Sequence, residues 1–246
     1  MSHDVLGIDV GATSIKFQRF DASGADVGKR ARRATQFPCP PETLLSVIDE
    51  RLALWPSTRI GLGFPGAVRD GVVLDGANLG RIGGAGTPFD PDLQRLWLEF
   101  PLQSVLRERT GATVHVANDA ALAALGCALD QGNELVVTLG TGFGLSLVRD
   151  GRLADVRDVG DELLHSDETY DALLGELGRR SDPGAWMVHV VSAVIALADE
   201  FDATTIHLAG GNARRLSPRA FGDWAPHVII ERDQPGLRGA WRMFYP

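Results

Sequence analysis

The stretch Glu134 to Asp150, ELVVTLGTGFGLSLVRD, sets a glycine-rich turn between two runs with strand character. Leu135, Val137 and Leu139 alternate with smaller or polar residues, and Leu145 and Leu147 resume after the turn, so the segment reads as a hairpin. Gly140, Gly142 and Gly144 permit positive φ and let backbone amides come close to a ligand, while Thr138 and Thr141 add hydroxyl donors. Such a turn suits a phosphate; a hairpin that needs glycines only in order to bend is the other reading. Asp4 to Phe20, DVLGIDVGATSIKFQRF, has the same design, with Asp9 just before Gly11, Thr13 and Ser14 in the turn, and Lys16 after it. A strand-turn-strand unit that recurs about half a chain length away is what two similar lobes would show if each lent a hairpin to one cleft. An acid, two small-residue turns and a lysine on one cleft suggest Mg²⁺ and a polyphosphate chain.

The chain has 246 residues, enough for one large or two small domains, and the repeated hairpin favours two. It is 44% hydrophobic and 23% charged, the balance of an ordinary globular protein. A net charge of −8 argues against a general nucleic-acid or membrane binder. No apolar run reaches the roughly 18 residues of a membrane span. The sequence runs almost at once into a strand, so the expectation is a cytoplasmic protein without a signal peptide. Cys39 and Cys127, the two cysteines, lie in no C-x-x-C or Cys/His cluster, so neither a structural zinc nor a disulfide framework is expected. Cys127, among Ala123, Ala124 and Ala128, reads as an inert buried residue, and His115 and His207 read as packed or edge histidines in strands.

In chain order, Asp26 to Ala34 adds a third strand, and Pro41 to Leu54 is a helix with Leu44, Leu45, Val47, Ile48 and Leu52 on its apolar side. Its basic residues Lys29, Arg30, Arg32 and Arg33 protect a strand edge or steer a polyanion. Arg59 to Gly63 is a short buried strand running into the rigid turn Phe64-Pro65-Gly66, at the carboxyl end where open α/β sheets bind ligands. Gly76 to Thr87 is a polar loop without regular period that carries Asn78. Leu102 to Arg109 is a helix ended by Gly111, Thr113 to Ala117 is a strand, and Asn118 and Asp119 stand at the start of the alanine-rich helix 120–128. A helix cap alone would account for that pair. Arg152 to Leu164 is acidic and lacks a period; 169–180 and 184–201 are helices; 204–209 is a strand ending in Gly210-Gly211-Asn212; 228–230 is the last strand; and a terminal helix starts at Pro235.

The ordered set DVGATSIK (9–16), GFPG (63–66), ANLG (77–80), VANDA (116–120), TLGTGFG (138–144), LAGGN (208–212) and GLRGA (236–240) resembles the ROK family of sugar kinases, most closely its compact polyphosphate- or ATP-dependent glucokinases. The resemblance implies an α/β protein of the two-lobed actin/hexokinase-type (ribonuclease H-like) fold with a central cleft. The expected lobes are 1–117 and 118–234, with a helix from about 235 to 246 able to pack back on the first. By the same resemblance Asp119 is the general base that takes the proton from the attacking sugar hydroxyl. Asp9 holds Mg²⁺, through water. Gly11, Thr13, Lys16, Thr138, Gly140, Thr141 and Gly142 hold the phosphates, and Gly210 and Gly211 lie by the nucleotide if the donor is one. Gly66, Asn78 and Asn118 bind the sugar. The partners implied are a small sugar or sugar-like molecule and ATP or inorganic polyphosphate, with no nucleic acid or membrane, no zinc, and a homodimer as the family's habit.

Where the family carries Glu-x-Gly-His, this chain reads Asp158-Val159-Gly160-Asp161. Exchanging histidine for an acid removes a donor and adds negative charge. Asp158 and Asp161 are therefore expected to meet an acceptor of different hydroxyl stereochemistry, or a cationic one such as an amino sugar. Alanine at position 12 stands where a second glycine is common, and the family's Cys-rich zinc segment is missing. The competing reading is a catalytically silent sugar sensor of the same fold, against which the retention of Asp119, Asp9 and both turns argues.

Overall fold

The computed structural model describes residues 4–84, 86–157, 159–160, 162–165, 167–232 and 234–245, so Asp158 and Asp161 lie outside the described residues. The chain divides into two compact units, residues 1–122 with 236–246, and residues 123–235.

In the first unit β1 (Val5–Val10) and β2 (Ser14–Phe20) pair antiparallel around the first glycine bend, and β3 (Asp26–Ala34) extends the meander. α1 (Pro41–Leu54) starts on a proline, whose missing N–H is no loss in a first turn, and buries Leu44, Leu45, Val47 and Ile48. It returns the chain to β4 (Arg59–Phe64), parallel to β1. A short ribbon of β5 (Val68–Arg69) and β6 (Val72–Val73) follows, and then a 3₁₀ turn at Ala77–Gly80, inside the loop expected to be irregular. α2 (Pro91–Trp97) is capped by the Asp90 carboxylate, and α3 (Leu102–Thr110) stops at Gly111, whose φ of 68° is the left-handed stop glycine provides. β7 (Thr113–Asn118) joins parallel to β4, completing the order β3-β2-β1-β4-β7. Leu6, Ile8, Phe17, Leu62, Phe64 and Trp97 are fully buried in its core. Each such side chain contributes roughly 1.5–3 kcal/mol.

α4 (Asp119–Cys127) follows β7 without a break, and the boundary between units falls inside it. The second unit then repeats the plan. β8 (Asn133–Leu139), β9 (Phe143–Arg149) and β10 (Arg152–Arg157) form an antiparallel meander. β10 corrects the expectation of an irregular segment there: a register shift between Leu153 and Asp155 breaks the alternation that would have revealed a strand. A ribbon of β11 (Leu163–His165) and β12 (Glu168–Thr169) leads to α5 (Tyr170–Leu174), α6 (Glu176–Ser181) and α7 (Pro183–Glu200). The single helix expected over 169–180 is two, separated by extended backbone at Gly175. β13 (Thr205–Ala209) lies parallel to β8, and β14 (Val228–Ile230) parallel to β13, giving β10-β9-β8-β13-β14. Leu135, Val137, Leu174, Trp186, Val194 and Ile206 anchor this core.

α8 (Pro235–Arg242) belongs to the first unit, where it buries Leu237 and Ala240. Its backbone crosses β4 so closely that a Cβ on Gly61 would overlap the carbonyl of Ala240. Among the described residues no helix is long and apolar enough to cross a membrane.

Candidate active site

In the first unit the parallel strands β1, β4 and β7 stand in the register Asp9, Gly63, Ala117, so their carboxyl ends share one edge of the sheet. Ligands bind at that edge in open α/β sheets, and the expected residues of this unit collect there. Asp9 and Lys16 are direct cross-strand partners in the first hairpin, and Lys16 Nζ donates to Asp9 Oδ2 at 2.8 Å. Between them the bend is closed by Gly11 N–H to Ser14 O (3.1 Å) and held to the chain after β3 by Thr35, whose hydroxyl donates to Gly11 O (2.7 Å). The amide of Gly11 is therefore engaged within its own turn, and the exposed hydroxyl of Thr13 is the bend's outward donor.

Asn118 and Asp119 divide the work at the start of α4. Asn118 Oδ1 accepts from Ala120 N (2.9 Å) and Ala121 N (3.2 Å), which makes it the helix cap. Its amide donates to Gly66 O at 3.1 Å, so one N–H is left over. Asp119 takes a bond from Ala120 N through Oδ1 (2.8 Å) and is otherwise released from capping. Its pKa is pushed from 3.8 up to about 7, first by burial and then by the charge of Asp9, with Ala120 N–H and Lys16 pulling the other way. Gly63 makes room for it: a Cβ there would sit 3.4 Å from the Asp119 Cα.

Gly66 also touches the turn that carries Asn78, since a Cβ on Gly66 would lie 3.0 Å from the Ala77 Cβ. Ala77 has φ 41°, a strained value for a residue with a side chain, and is fixed by its N–H donating to Asp75 Oδ1 (2.8 Å). Gln94 on α2 accepts from Gly76 N at 3.0 Å. The half-buried amide of Asn78 makes no hydrogen bond among the described residues.

In the second unit the carboxyl ends of β8 and β13 are likewise in register, Thr138 with Ala209, and bring Thr138, Gly140, Thr141, Gly142, Gly210 and Gly211 together. Positive φ is absent at Gly140, Gly142 and Gly144, contrary to the sequence expectation; Gly210, at 91°, is the glycine here that uses it. The bend glycines serve close approach instead. A Cβ on Gly142 would meet Asp171 Oδ2 at 2.5 Å, whereas one on Gly140 or Gly211 would meet nothing within 4 Å. Gly140 N–H donates to Gly142 O (3.0 Å), leaving Thr138 and the exposed Thr141 as hydroxyl donors. Three residues not singled out from the sequence hold the bend: Asp171 accepts from Phe143 N (2.7 Å), Glu176 N donates to Thr141 O (3.0 Å), and Asn212 Nδ2 donates to Gly140 O (3.1 Å). Of these only Asn212 carried a sequence signal, as the end of the Gly-Gly-Asn turn.

The model of the ROK family matches residues 5–158. The glucokinase of Halalkalibacterium halodurans is 30% identical over 163 residues, 60% of this chain and 44% of that protein, so the chain spans less than half of that relative's length. A polyphosphate glucokinase of Mycobacterium tuberculosis is 25% identical over 247 residues, covering 96% of this chain and 85% of its own. The crystal structure of an inorganic polyphosphate/ATP-glucomannokinase from Arthrobacter sp. strain KM superposes with a TM-score of 0.74 at 24% identity, covering 98% of both chains. The fold is thus the actin/hexokinase-type α/β fold of the ROK sugar kinases. With the match running from β1 through both glycine bends, this chain belongs to the ROK family.

Proposed function

We propose that the protein is a sugar kinase, transferring the terminal phosphoryl group of ATP or inorganic polyphosphate to a hydroxyl of glucose or a related sugar, with Asp119 as general base. The observation that carries this reading is the Asp119 carboxyl, released from capping by Asn118 and raised to about pKa 7. A base with a pKa near the working pH combines a useful charged fraction with real proton affinity. A silent sensor has no use for a carboxylate held at that disadvantage.

In the proposed reaction the acceptor O–H loses its proton to Asp119 as the oxygen forms a bond to the terminal phosphorus. The bridging oxygen of the donor leaves with the electron pair, as ADP or a shortened polyphosphate. The rest is positioning and neutralisation of phosphate charge. Lys16 and the hydroxyls of Thr13, Thr138 and Thr141 are the donors suited to phosphate oxygens, Gly140 and Gly211 offer open backbone, and the unengaged amide of Asn78 suits a sugar hydroxyl. Asp9 fits Mg²⁺: Oδ2 is bound to Lys16, while Oδ1 has no hydrogen bond among the described residues and is a hard oxygen ligand. The ion, when bound, would neutralise phosphate charge. Asp158 and Asp161 are proposed to tune the acceptor toward altered stereochemistry or an amino group.

The test is a matrix of donors (ATP, polyphosphate) against acceptors (glucose, mannose, amino sugars), with Asp119→Asn as the blank. Turnover of one donor-acceptor pair by wild type and its loss in the variant is the expected result. Equal turnover by the two proteins would remove Asp119 from the reaction, and a clear preference for glucose over amino sugars would remove the role given to the two acids.

A further inference from the structure

Four residues from two distant stretches of sequence meet inside the second unit: Cys127 at the end of α4, Glu134 in β8, His207 in β13 and Glu231 just after β14. His207 is fully buried, with Nε2 2.9 Å from Glu134 Oε2 and Nδ1 2.8 Å from Glu231 Oε1. Glu134 is equally buried, and both its oxygens face the Leu129 N–H, at 3.0 and 2.8 Å. One ligand atom each from Cys127, His207 and Glu231 lies within 4.8 Å of the others. The expectation of no zinc follows from cysteine and histidine spacing and from the missing Cys-rich segment, neither of which shows this convergence.

We propose that Cys127, His207 and Glu231 bind a divalent cation of the zinc type, with Glu134 orienting the histidine from behind. Sulfur, imidazole and carboxylate together are a donor set for zinc and its neighbours, not for magnesium or calcium. A ligating histidine usually gives its other N–H to a carboxylate, and Glu134 on Nε2 supplies that partner before any ion arrives. Tetrahedral ligands at bond lengths of about 2.0–2.3 Å stand roughly 3.3–3.6 Å apart, so side-chain rotations that open the 2.8 Å His207–Glu231 pair and close the wider separations by about 1 Å would seat three ligands, with water as the fourth.

Burial first, then Glu231 and Glu134, hold the Cys127 thiol well above its usual range, which makes it inert as a free thiol. A coordinating metal deprotonates such a thiol outright. Glu231, whose side chain is 21% accessible, gives the ion its way in. This site is separate from the proposed kinase chemistry, whose carboxylates are hard oxygen ligands.

Cobalt(II) added to the chelator-treated full chain is the probe. The expected result is a near-ultraviolet thiolate-to-cobalt charge-transfer band at one equivalent, displaced by zinc and accompanied by a raised melting temperature. Cys39 is the other cysteine, so loss of the band in Cys127→Ser and its retention in Cys39→Ser assigns the sulfur. Glu134→Gln should keep the band while weakening binding by about 10–100-fold. No band in the wild-type protein, or a band that survives Cys127→Ser, overturns the proposal. The wild-type spectrum decides even if a variant fails to fold.

Discussion

The two glycine bends are copies in topology and opposites in chemistry. Each joins the first two strands of a five-stranded sheet with the same strand order and sense, and each is closed by an internal backbone hydrogen bond. The first is flanked by charge, with Asp9 and Lys16 paired across it and Asp119 just past the end of β7, two strands along the same sheet edge. The second has no charged side chain of its own; of the two acids beside it, Asp171 accepts the Phe143 N–H and Glu176 is neutralised by Arg179, while Asn212 and the Glu176 N–H tie down the remainder. Duplicating a fold therefore does not duplicate a site. In the proposed function the first unit supplies the groups that move protons and balance phosphate charge, and the second bend supplies neutral donors.

If that division holds, the largest effects come from the first bend. Asp119→Asn keeps the Oδ1 acceptor for Ala120 N but cannot take a proton, so kcat should fall by about 10²–10⁴ with the sugar KM little changed. Steady-state kinetics measures this, and a loss expressed only in KM would move Asp119 from chemistry to binding. Lys16→Met should come next, lowering kcat/KM for the donor by about 10²-fold through the lost charge. Stability should change by at most about 1 kcal/mol, because the Asp9 pair is partly exposed. An equal loss on removing the hydroxyl of Thr141 would erase the contrast between the bends.

The same contrast explains what could be read from the sequence. Both hairpins, and α1 with its bounds, were legible because period-two alternation, glycine bends and a proline at the first helical position are local signals. Asn118 and Asp119 were legible as a pair, but not their division of labour, since either residue can cap a helix. β10 was hidden by its irregular register, and the split at Gly175 by the helical residues on both sides. α2 has a local signal of its own, the Asp90 cap followed by Pro91 in the first turn. Asp171 and the group around His207 could not be read at all: Asp171 acts across 28 residues of sequence and His207 across 24 and 73, through partners that only strand pairing and helix packing bring near.

Within the second bend the sharper test compares two glycines. Gly142→Ala drives a methyl group against Asp171, so it should destabilise by about 1–3 kcal/mol as well as lower activity. Gly140→Ala meets open space at a position without positive φ, so its stability should stay within about 0.5 kcal/mol of wild type while donor kcat/KM falls about tenfold. Activity unchanged in Gly140→Ala would mean that no phosphate passes this bend.

The smallest effects lie in how stability follows pH, and here the two bends should differ in sign. Asp119 near the first has a native pKa of about 7 against 3.8 for the free group, so the native state holds its proton more tightly than the unfolded chain. Its contribution is neutral below pH 4 and becomes a growing penalty as pH rises toward 7. Asp119→Asn should therefore gain stability on the order of 1–3 kcal/mol above pH 7 and nothing below pH 4, while losing activity. Glu176 beside the second bend is held far below 4.5, first by hydrogen bonds from Arg179, then by one from Asn212. Its stabilisation is complete above 4.5 and fades as pH falls, because the unfolded chain begins to take up the proton first. Glu176→Gln should thus destabilise by a constant amount from pH 5 to 8 and by less at each step below that. Urea titrations of the three proteins without Mg²⁺ between pH 4 and 8 measure both differences. If the two variants follow pH in the same direction, a shared electrostatic environment replaces the division between a charged bend and a neutral one.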